Sequence, residues 1–327
     1  QYVQLPPSNG YTSRVDNFGE VENKGIEFNL EGIAINNDDL NWTINANIGF
    51  NRNKLKKLNS NLDFQLGPSI GFSQAYPILF MVDQPLGIYW GAETDGVYSS
   101  WEEANSSGIA GAAPGEIRYI NHHVDLDDSG QPLEIQEINF DDYVKIGDPN
   151  PDFTYSISNN FTYKNWDASI LFTGQKGGDL FWVDSWQLSG LQKTTNILSS
   201  SYANSWIAPL YYENGNYIYD ESVGNLNSVN HPGAMIETGS RAISSDRNIF
   251  DGSFVRLKNI NVGYNFDLKD GKNMRVYLAG QNLVVWTDYP GYDPEVRTYT
   301  KNPQKRGVDF GTYPGTRSLL LGLKFNY

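Results

Sequence analysis

The segment DLDDSG, which begins at Asp125, holds the side chains with the best spacing for binding a metal ion. Oxygen-bearing side chains alternate at Asp125, Asp127 and Ser129, and a glycine stands sixth, as at the start of a calcium-binding loop. The twelfth position is Gln136 instead of a bidentate Glu, although Glu134 lies nearby. Asp125, Asp127, Ser129 and Glu134 are therefore the candidate calcium ligands, but the wrong end of the loop favours a solvated acidic turn.

Residues for covalent catalysis are scarce. The chain has no cysteine, which excludes thiolate metal sites, iron–sulfur ligation and a cysteine nucleophile, and its three histidines are few for a metal or triad enzyme. Neighbouring acids such as Glu102 and Glu103 imitate the carboxylate pair of a glycosidase, but neighbours on an extended strand point to opposite faces. Such pairs are expected to be solvated loop charges, and the chain is predicted not to be an enzyme.

Charge and composition narrow the class of protein. The 327 residues include 24 Lys plus Arg and 38 Asp plus Glu, a formal charge of −14, and no basic run, so a nucleic-acid partner is excluded. Aromatic residues make up 14 % of the chain and charged residues 19 %, a balance that favours strands and turns. No apolar run approaches the roughly 18 residues that a transmembrane helix needs.

Alternating apolar and polar residues predict several antiparallel hairpins. From Trp42 the string WTINANIGFN places apolar side chains on one face and polar ones on the other, and KGIEFNLEG before it alternates likewise. A second hairpin turns at the Lys-Asn pair after Tyr163, so Tyr163 is expected to pair with Trp166. A third turns within DLKDGKN, and a one-residue slip of phase near Leu257 predicts a β-bulge. The final ten residues, SLLLGLKFNY, are predicted to form the last strand.

Long polar stretches, roughly 93–150, 190–250 and 288–315, separate these hairpins and far exceed ordinary connections. Short turns at one end and long loops at the other are typical of an outer-membrane β-barrel, in which the face rich in Asn, Ser and Thr would line a wet lumen. A soluble β-sandwich is the alternative, because an alternation of period two does not tell lipid from a protein core.

Aromatic residues are frequent in and beside the long loops. Their side chains would either stack on sugar rings and contact a partner protein, or pack within the loops and anchor them at a membrane interface. The residues concerned include Tyr76, Tyr89, Trp90, Trp182 and Trp186.

Five strings occur in order along the chain: NFGEVENKGIEF, IGDPNPDFTYSISN, DGSFVRLKNINVGYNF, RVYLAGQNLVVWTDYPGYDPEV and YPGTRSLLLGLKFNY. Together they resemble the SusC/RagA family of TonB-dependent outer-membrane transporters over essentially the whole chain. The motif positions, to which the resemblance assigns an architectural role, are Asn23, Lys24, Gly25, Glu27, Asp251, Gly252, Ser253, Phe254, Arg256, Gln281, Asn282, Asp293, Pro294 and the terminal aromatic Tyr327.

The resemblance implies an all-β fold that is part of a large antiparallel transmembrane β-barrel with long extracellular loops, about half of a barrel of about 22 strands. Residues 1–327 would be the C-terminal part of one such barrel domain, without its plug domain and N-terminal strands. The chain begins with Gln1, so we expect a processed protein or a piece of a longer one. Unpaired strand edges are costly in lipid, which makes the rest of the barrel the expected partner.

The function implied by the resemblance is TonB-dependent import of nutrients, either glycan oligomers or peptides, across the outer membrane of a Gram-negative, Bacteroidetes-like bacterium. The implied partners are the missing N-terminal plug and barrel half, a SusD-like surface lipoprotein, TonB and outer-membrane lipid. Apart from calcium, no cofactor is expected. Two alternatives stay open: a structural barrel subunit of an envelope complex that does not transport, and a soluble β-rich module that binds or hydrolyses carbohydrate.

Overall fold

The structure, a computed structural model, describes residues 2–4, 13–15, 19–58, 62–70, 76–188, 196–220, 224, 243–296, 298–299 and 302–326. The described strands are β1 (Tyr2–Gln4), β2 (Ser13–Val15), β3 (Gly19–Asn36), β4 (Leu40–Leu58), β5 (Phe64–Leu66), β6 (Ile78–Met81), β7 (Ile88–Gly91), β8 (Thr94–Val97), β9 (Ile117–Tyr119), β10 (Val144–Gly147), β11 (Pro151–Tyr163), β12 (Trp166–Gly177), β13 (Leu180–Trp182), β14 (Leu210–Glu213), β15 (Asn216–Tyr219), β16 (Ile249–Phe250), β17 (Phe254–Asp267), β18 (Asn273–Trp286), β19 (Val308–Asp309) and β20 (Ser318–Asn326).

Helices are short and lie in the connections. They are α1 (Trp101–Ser106), α2 (Ser185–Leu188) and α3 (Ser199–Asn204), with 3₁₀ turns at Phe140–Asp142, Asp246–Asn248, Lys269–Gly271 and Pro303–Lys305. None of the helices in the described ranges combines the length and the apolar character that crossing a membrane requires.

Seven strands form the main sheet, in the order β20-β18-β17-β12-β11-β4-β3, and all their pairings are antiparallel. The predicted hairpins are confirmed. The turn after Asn36 joins β3 to β4, Tyr163 pairs directly with Trp166 between β11 and β12, and the closing strand β20 lies beside β18. The sheet is therefore built from neighbours in sequence, joined by short turns at one end.

A β-bulge interrupts β17 where the phase of its apolar residues slips. Phe172 pairs with Leu257 and Leu171 pairs with Asn259, so Lys258 is the extra residue. The predicted bulge near Leu257 is confirmed. Its physical effect is to return the apolar residues that follow to the same face as those before it.

The face of the main sheet that carries Ile44 and Ile48, here called the outer face, is apolar from one edge to the other. The register sets apolar residues opposite one another on successive strands; Phe28 pairs with Ile48, for example, and Leu278 with Leu321. Many of these side chains are exposed, up to 74 % for Leu321. An apolar surface this wide marks contact with a membrane or another protein.

Aromatic side chains concentrate in two bands on the outer face. Trp42 in one band and Phe50 in the other lie on β4, separated by about 27 Å along the strand at about 3.4 Å per residue. The band near the short turns contains Trp42, Phe161, Tyr163, Trp166, Tyr264 and Phe266. The band near the long loops contains Phe50, Phe153, Tyr155, Phe172 and Trp286. Rings within a band touch; the centres of the Trp166 and Tyr264 rings, for example, are 4.9 Å apart.

The long connections fold into a compact unit at the opposite end from the short turns, here called the loop platform. It contains the four-stranded sheet β10-β7-β6-β5 and the three-stranded sheet β16-β13-β19. Its buried core includes Leu55 and Leu58 from the end of β4 together with Phe80, Tyr89 and Phe181. The largest buried core of the described residues therefore lies in the loop platform, and none of the described segments packs on the outer face of the main sheet.

Candidate functional site

The inner face of the main sheet, opposite the outer face, is lined mainly by small polar side chains. Asn, Ser and Thr alternate along β4 and β11, and Asn47 Nδ2 donates a hydrogen bond to Asn29 Oδ1 at 2.6 Å. A surface of amides and hydroxyls suits water and polar solutes, as predicted for a lumen.

A charged network crosses the inner face near the short turns. The Arg275 guanidinium pairs with the Asp167 carboxylate, with Nε 2.9 Å from Oδ1. Asn265 Nδ2 donates to the same carboxylate at 2.8 Å, and Arg275 Nη2 donates to Asn261 Oδ1 at 2.7 Å. The network links β12, β17 and β18, so it fixes their inner faces relative to one another.

Two glycines make room for the side chains of this region. A Cβ at Gly263 would collide with the Arg275 guanidinium, and a Cβ at Gly322 would collide with the Tyr277 ring. Gly263 lies opposite Tyr277, and Tyr277 lies opposite Gly322, so these residues form one row across the strands. The absence of a Cβ at Gly263 and Gly322 therefore allows close packing on the inner face.

Hydrogen bonds of the motif Asp251–Phe254 join the ends of β12, β17 and β18 at the rim of the sheet. The Asp251 carboxylate accepts hydrogen bonds from the backbone N–H and the hydroxyl of Ser253, at 2.8 and 2.5 Å. The Ser253 hydroxyl accepts from Gly177 N–H at 2.8 Å, and the backbone carbonyl of Ser253 accepts from the Thr287 hydroxyl at 2.8 Å. A Cβ at Gly252 would meet the backbone of Gly178.

A buried ionic cluster joins this rim to the last long loop. Arg256 Nη2 donates to Asp293 Oδ1 at 2.5 Å, and its Nε lies 2.9 Å from Glu295 Oε2. Lys258, the bulged residue of β17, places its Nζ 3.4 Å from the same Glu295 oxygen. Arg256 and Asp293 are both buried, and a Cβ at Gly315 would collide with the Asp293 carboxylate. The motif strings DGSFVRLKNINVGYNF and RVYLAGQNLVVWTDYPGYDPEV therefore meet in one ion-pair cluster.

The other motif positions lie along strand pairs and at the rim. Asn23 pairs with Asn53, Glu27 pairs with Gly49, and a Cβ at Gly25 would approach the Phe50 carbonyl. Lys24 contacts Glu22 at 2.8 Å and is exposed. Gln281 pairs with Ser318, and the next residue, Asn282, has a positive φ of 51° opposite the bulge of β17. Pro294 is buried beside Asp293. Tyr327 lies outside the described residues.

A cavity of about 330 Å³ lies where the inner face meets the loop platform. This rim cavity is lined by amide side chains from β3, from β4, from the residue before β11 and from the loop between β18 and β20. The six amides are those of Asn23, Asn51, Asn53, Asn150, Asn302 and Gln304. Lys305 and Arg306 also line it.

Two of these amides hold the cavity in shape. Asn53 Nδ2 donates to Asn150 Oδ1 at 2.7 Å, and Asn53 Oδ1 accepts from Leu86 N–H at 2.6 Å. Asn150 Nδ2 in turn donates to Asp148 Oδ1 at 2.7 Å. These bonds attach the loop platform to the C-terminal end of β4.

Buried polar groups stabilise the loop platform below the cavity. The Tyr89 hydroxyl donates to the Arg306 carbonyl at 2.9 Å, and burial raises the pKa of Tyr89, so it stays a neutral donor. The Tyr289 hydroxyl donates to Asp309 Oδ2 at 2.5 Å. Burial also raises the pKa of Asp179 and Asp184, whose carboxylates accept from Asp148 N–H and Gly311 N–H.

The predicted calcium loop uses its carboxylates for internal hydrogen bonds. Asp127 Oδ1 accepts from the Ser129 hydroxyl and backbone and from Gln131 N–H, and these bonds lower the pKa of Asp127. Asp125 accepts from Glu137 N–H at 3.0 Å. In the described ranges, no group of three or more His, Asp or Glu side chains, Glu134 included, is arranged to hold a metal ion. Calcium binding stays a prediction without a ligand set in this geometry.

The loop aromatics separate into buried and exposed groups. Tyr89, Trp182 and Trp186 are buried within the loop platform, so their main role is packing. Tyr76 is half exposed. Among the described residues, the most exposed loop aromatics are Trp101, Tyr292 and Tyr313. Tyr292 and Tyr313 lie within two of the motif strings, whereas nothing in the local pattern of Trp101 distinguishes it from a core residue.

Sequence reasoning also missed the rim cavity. Its amides come from strands near the start of the chain and its cations from a loop near the end, so no local spacing relates them. The available signal was the Asn repeat on the inner face of β4, which continues through Asn51 and Asn53 to the rim.

Comparisons with known proteins agree with this architecture. No protein-family model matches the chain. A TonB-dependent receptor of Formosa agariphila is 33 % identical over 335 residues, which cover 99 % of this chain and 30 % of that protein. The TonB-dependent receptor SusC of Bacteroides thetaiotaomicron is 25 % identical over 347 residues, which cover 99 % of this chain and 28 % of SusC.

Among solved structures, the RagAB peptide transporter shares the fold, with a TM-score of 0.71 and 18 % identity over 99 % of this chain and 31 % of the matched chain. This chain spans less than a third of the length of these relatives. The prediction of an all-β chain that is part of a large antiparallel barrel is confirmed, and seven strands of the main sheet are described.

Proposed function

Since this chain is a relative of SusC/RagA-type TonB-dependent receptors, we propose that it forms part of a barrel that imports nutrients across the outer membrane of a Gram-negative, Bacteroidetes-like bacterium. In this proposal, residues 1–327 are the C-terminal part of the barrel domain. The inner face lines the transport path, and the rim cavity lies at its mouth.

The observation that carries the proposal is the outer face with its two aromatic bands. An apolar belt flanked by aromatic girdles is the pattern of a barrel in lipid, where Trp and Tyr lie at the headgroup level. A soluble module would instead expose this face to water, at a cost of roughly 25 cal/mol for each Å² of apolar surface.

The positions of the turns support one orientation in the membrane. The turns between β3 and β4, between β11 and β12, and between β17 and β18 lie at the same end, and the loop platform lies at the other. Outer-membrane barrels place short turns in the periplasm and long loops outside the cell. The rim cavity would then be among the first inner-face sites that a solute meets from outside.

The open edges of the main sheet support further barrel strands as the partner. β3 and β20 each pair with one neighbour in the described sheet, which leaves one side of each backbone for another strand. Unpaired backbone groups in lipid cost several kcal/mol each. We propose that the rest of a longer chain supplies these strands and the plug, that TonB acts through that plug, and that a SusD-like lipoprotein covers the loop platform.

The proposal includes no enzymatic step. The chemistry of the inner face and the rim cavity is hydrogen bonding by amides and hydroxyls with a few charges, which suits the binding of glycan oligomers or peptides. RagAB, which shares the fold, is a peptide transporter, but peptide is the cargo of RagAB and is not thereby the cargo of this chain.

Uptake by the full-length protein tests the proposal. The gene would be deleted in the bacterium that carries it, and uptake of labelled glycan oligomers and peptides would be measured with and without TonB. We expect uptake of one nutrient class to be lost on deletion, restored by the intact gene, and lost again without TonB.

Membrane extraction in detergent would be measured in parallel. A protein that resides in the outer membrane but whose loss changes no uptake would favour the structural-subunit alternative. A folded species that needs no detergent would favour the soluble module and contradict the proposal.

A further inference from the structure

We propose that the rim cavity binds an anionic, carboxylate-bearing unit of an oligomeric cargo. This inference rests on the proposed import function and specifies the chemistry of its cargo. It is based on the charge of the cavity lining, on an unneutralised cation within it, and on amides that are free to contact a ligand.

The lining has an unusual charge for this chain. Acidic residues outnumber basic ones by 38 to 24 in the whole sequence, yet the rim cavity is lined by Lys305 and Arg306 and by no Asp or Glu among the described residues. A site with cations and without carboxylates favours anions, because a buried or half-buried charge seeks an opposite partner.

Lys305 is the cation best placed for this role. Its Nζ lies 4.4 Å from the centre of the Tyr299 ring, and the residue is partly buried. Burial lowers the pKa of Lys305, and no carboxylate among the described residues counters that effect. The two acids nearest to it in sequence are engaged elsewhere: Asp309 accepts from the Tyr289 hydroxyl and from Thr312 N–H, and Glu295 is shared by Arg256 and Lys258. The charge of Lys305 is therefore not neutralised by a carboxylate of the described chain.

The amides supply hydrogen bonds around this charge. Asn53 and Asn150 are engaged with each other and with the backbone, but the side chains of Asn23, Asn51 and Gln304 make no hydrogen bond to another described residue. An amide offers both donors and an acceptor, so it can bind a carboxylate and the hydroxyl or amide groups beside it.

The size of the cavity limits what enters it. A volume of about 330 Å³ is near the lower end of the roughly 300–1,000 Å³ that is usual for small-molecule sites. One unit of an oligomer would fill it, while the rest of the oligomer would extend along the inner face or the loop platform.

Calorimetry on the purified full-length transporter tests the inference with two pairs of probes. The first pair is an oligogalacturonate and its methyl ester, and the second is a glutamate-rich peptide and its glutamine counterpart. Within each pair the backbone of the probe is alike and the carboxylate charge differs. The pair that shows a preference identifies whether the carboxylate comes from a sugar or from a peptide.

We expect the charged member of one pair to bind about tenfold more tightly than the neutral member. Lys305→Met should abolish this preference, Lys305→Arg should retain it, and the control Lys272→Met, in the exposed turn between β17 and β18, should leave it unchanged. Equal binding of charged and neutral probes in both pairs, or a preference that survives Lys305→Met, would overturn the inference. TonB-dependent uptake without any charge preference would leave the proposed function intact, so the two failures are distinguishable.

Discussion

Individual residues of the inner face show how side-chain volume is shared between strands. Gly263 has no Cβ, and the Arg275 guanidinium occupies the space where a Cβ would lie. The guanidinium cannot easily move away, because it pairs with Asp167 and donates to Asn261. A larger residue at position 263 must therefore displace an ion pair instead of a free side-chain end.

Gly263→Ala should destabilise the full-length barrel by about 1–3 kcal/mol, the usual range for overpacking. The matched control is Gly32→Ala on β3, because a Cβ at Gly32 meets nothing within 4 Å. Urea midpoints followed by tryptophan fluorescence measure both. Equal shifts for the two variants would show that space at Gly263 is not limiting.

Arg256→Met should cost more, about 3–5 kcal/mol, because it leaves Asp293 buried without its partner. Lys176→Met removes a comparable charge from the exposed pair with Asp251, whose atoms lie 3.3 Å apart, and should cost at most about 1 kcal/mol. The same urea unfolding measures the difference. Similar costs for both variants would contradict a structural role for the buried cluster.

At the scale of elements, the loop platform folds against the end of β4 as a small domain with its own core. Half-buried carboxyl groups lie beside the apolar contacts of this unit. Burial raises the pKa of Asp184, and the nearby Asp309 adds to that effect, although Gly311 N–H donates to the Asp184 carboxylate. The charged form of Asp184 is therefore disfavoured in the folded platform.

A group whose pKa is raised by folding favours the folded state at pH values below its unfolded pKa, and this contribution is lost as the pH rises through its folded pKa. Asp184→Asn cannot ionise and keeps an oxygen for Gly311 N–H. The backbone amides of the platform should therefore exchange more slowly in this variant than in the wild type at neutral pH. At acidic pH the two proteins should exchange at the same rate. Hydrogen exchange of peptides around β13 and β19 measures this, with Asp38→Asn in the exposed β3–β4 turn as the control. Greater protection of the wild type at neutral pH would contradict the expectation.

At the scale of the whole molecule, the main sheet separates two environments. Its outer face is apolar with two aromatic bands, and its inner face is polar, which is the arrangement expected of a sheet with lipid on one side and water on the other. The closing strand β20 shows the contrast between adjacent residues. Leu321 lies on the outer face and is paired with Leu278, while Leu320 lies on the inner face and is paired with Ala279.

Leu321→Arg should destabilise the full-length barrel in a bilayer by up to about 4 kcal/mol, because a cation on the lipid face is costly and the cost grows with its depth. Leu320→Arg introduces the same side chain one residue away, facing the lumen, and should have a much smaller effect. Folding of the two variants into lipid vesicles, followed by heat-dependent gel mobility, measures this. A larger effect at Leu320 would indicate that the inner face is a protein core and the outer face is not in lipid.

Local patterns in the sequence were enough to predict the strands of the main sheet, the short turns, the pairing of Tyr163 with Trp166 and the bulge beside Leu257. These features depend on residues close together in the chain, where a period of two and turn chemistry act directly. The family resemblance extended the prediction from local hairpins to part of a large barrel, because the family's motifs occur in order along the whole chain.

The way the long loops fold, and which of their residues meet, became visible only in the three-dimensional structure. Trp182 and Trp186 became core residues of the loop platform, and the carboxylates of Asp125 and Asp127 became acceptors for neighbouring N–H groups. The rim cavity joins Asn51 of β4 to Lys305 of the last loop. Such contacts depend on the packing of segments far apart in sequence, and no local pattern encodes that packing.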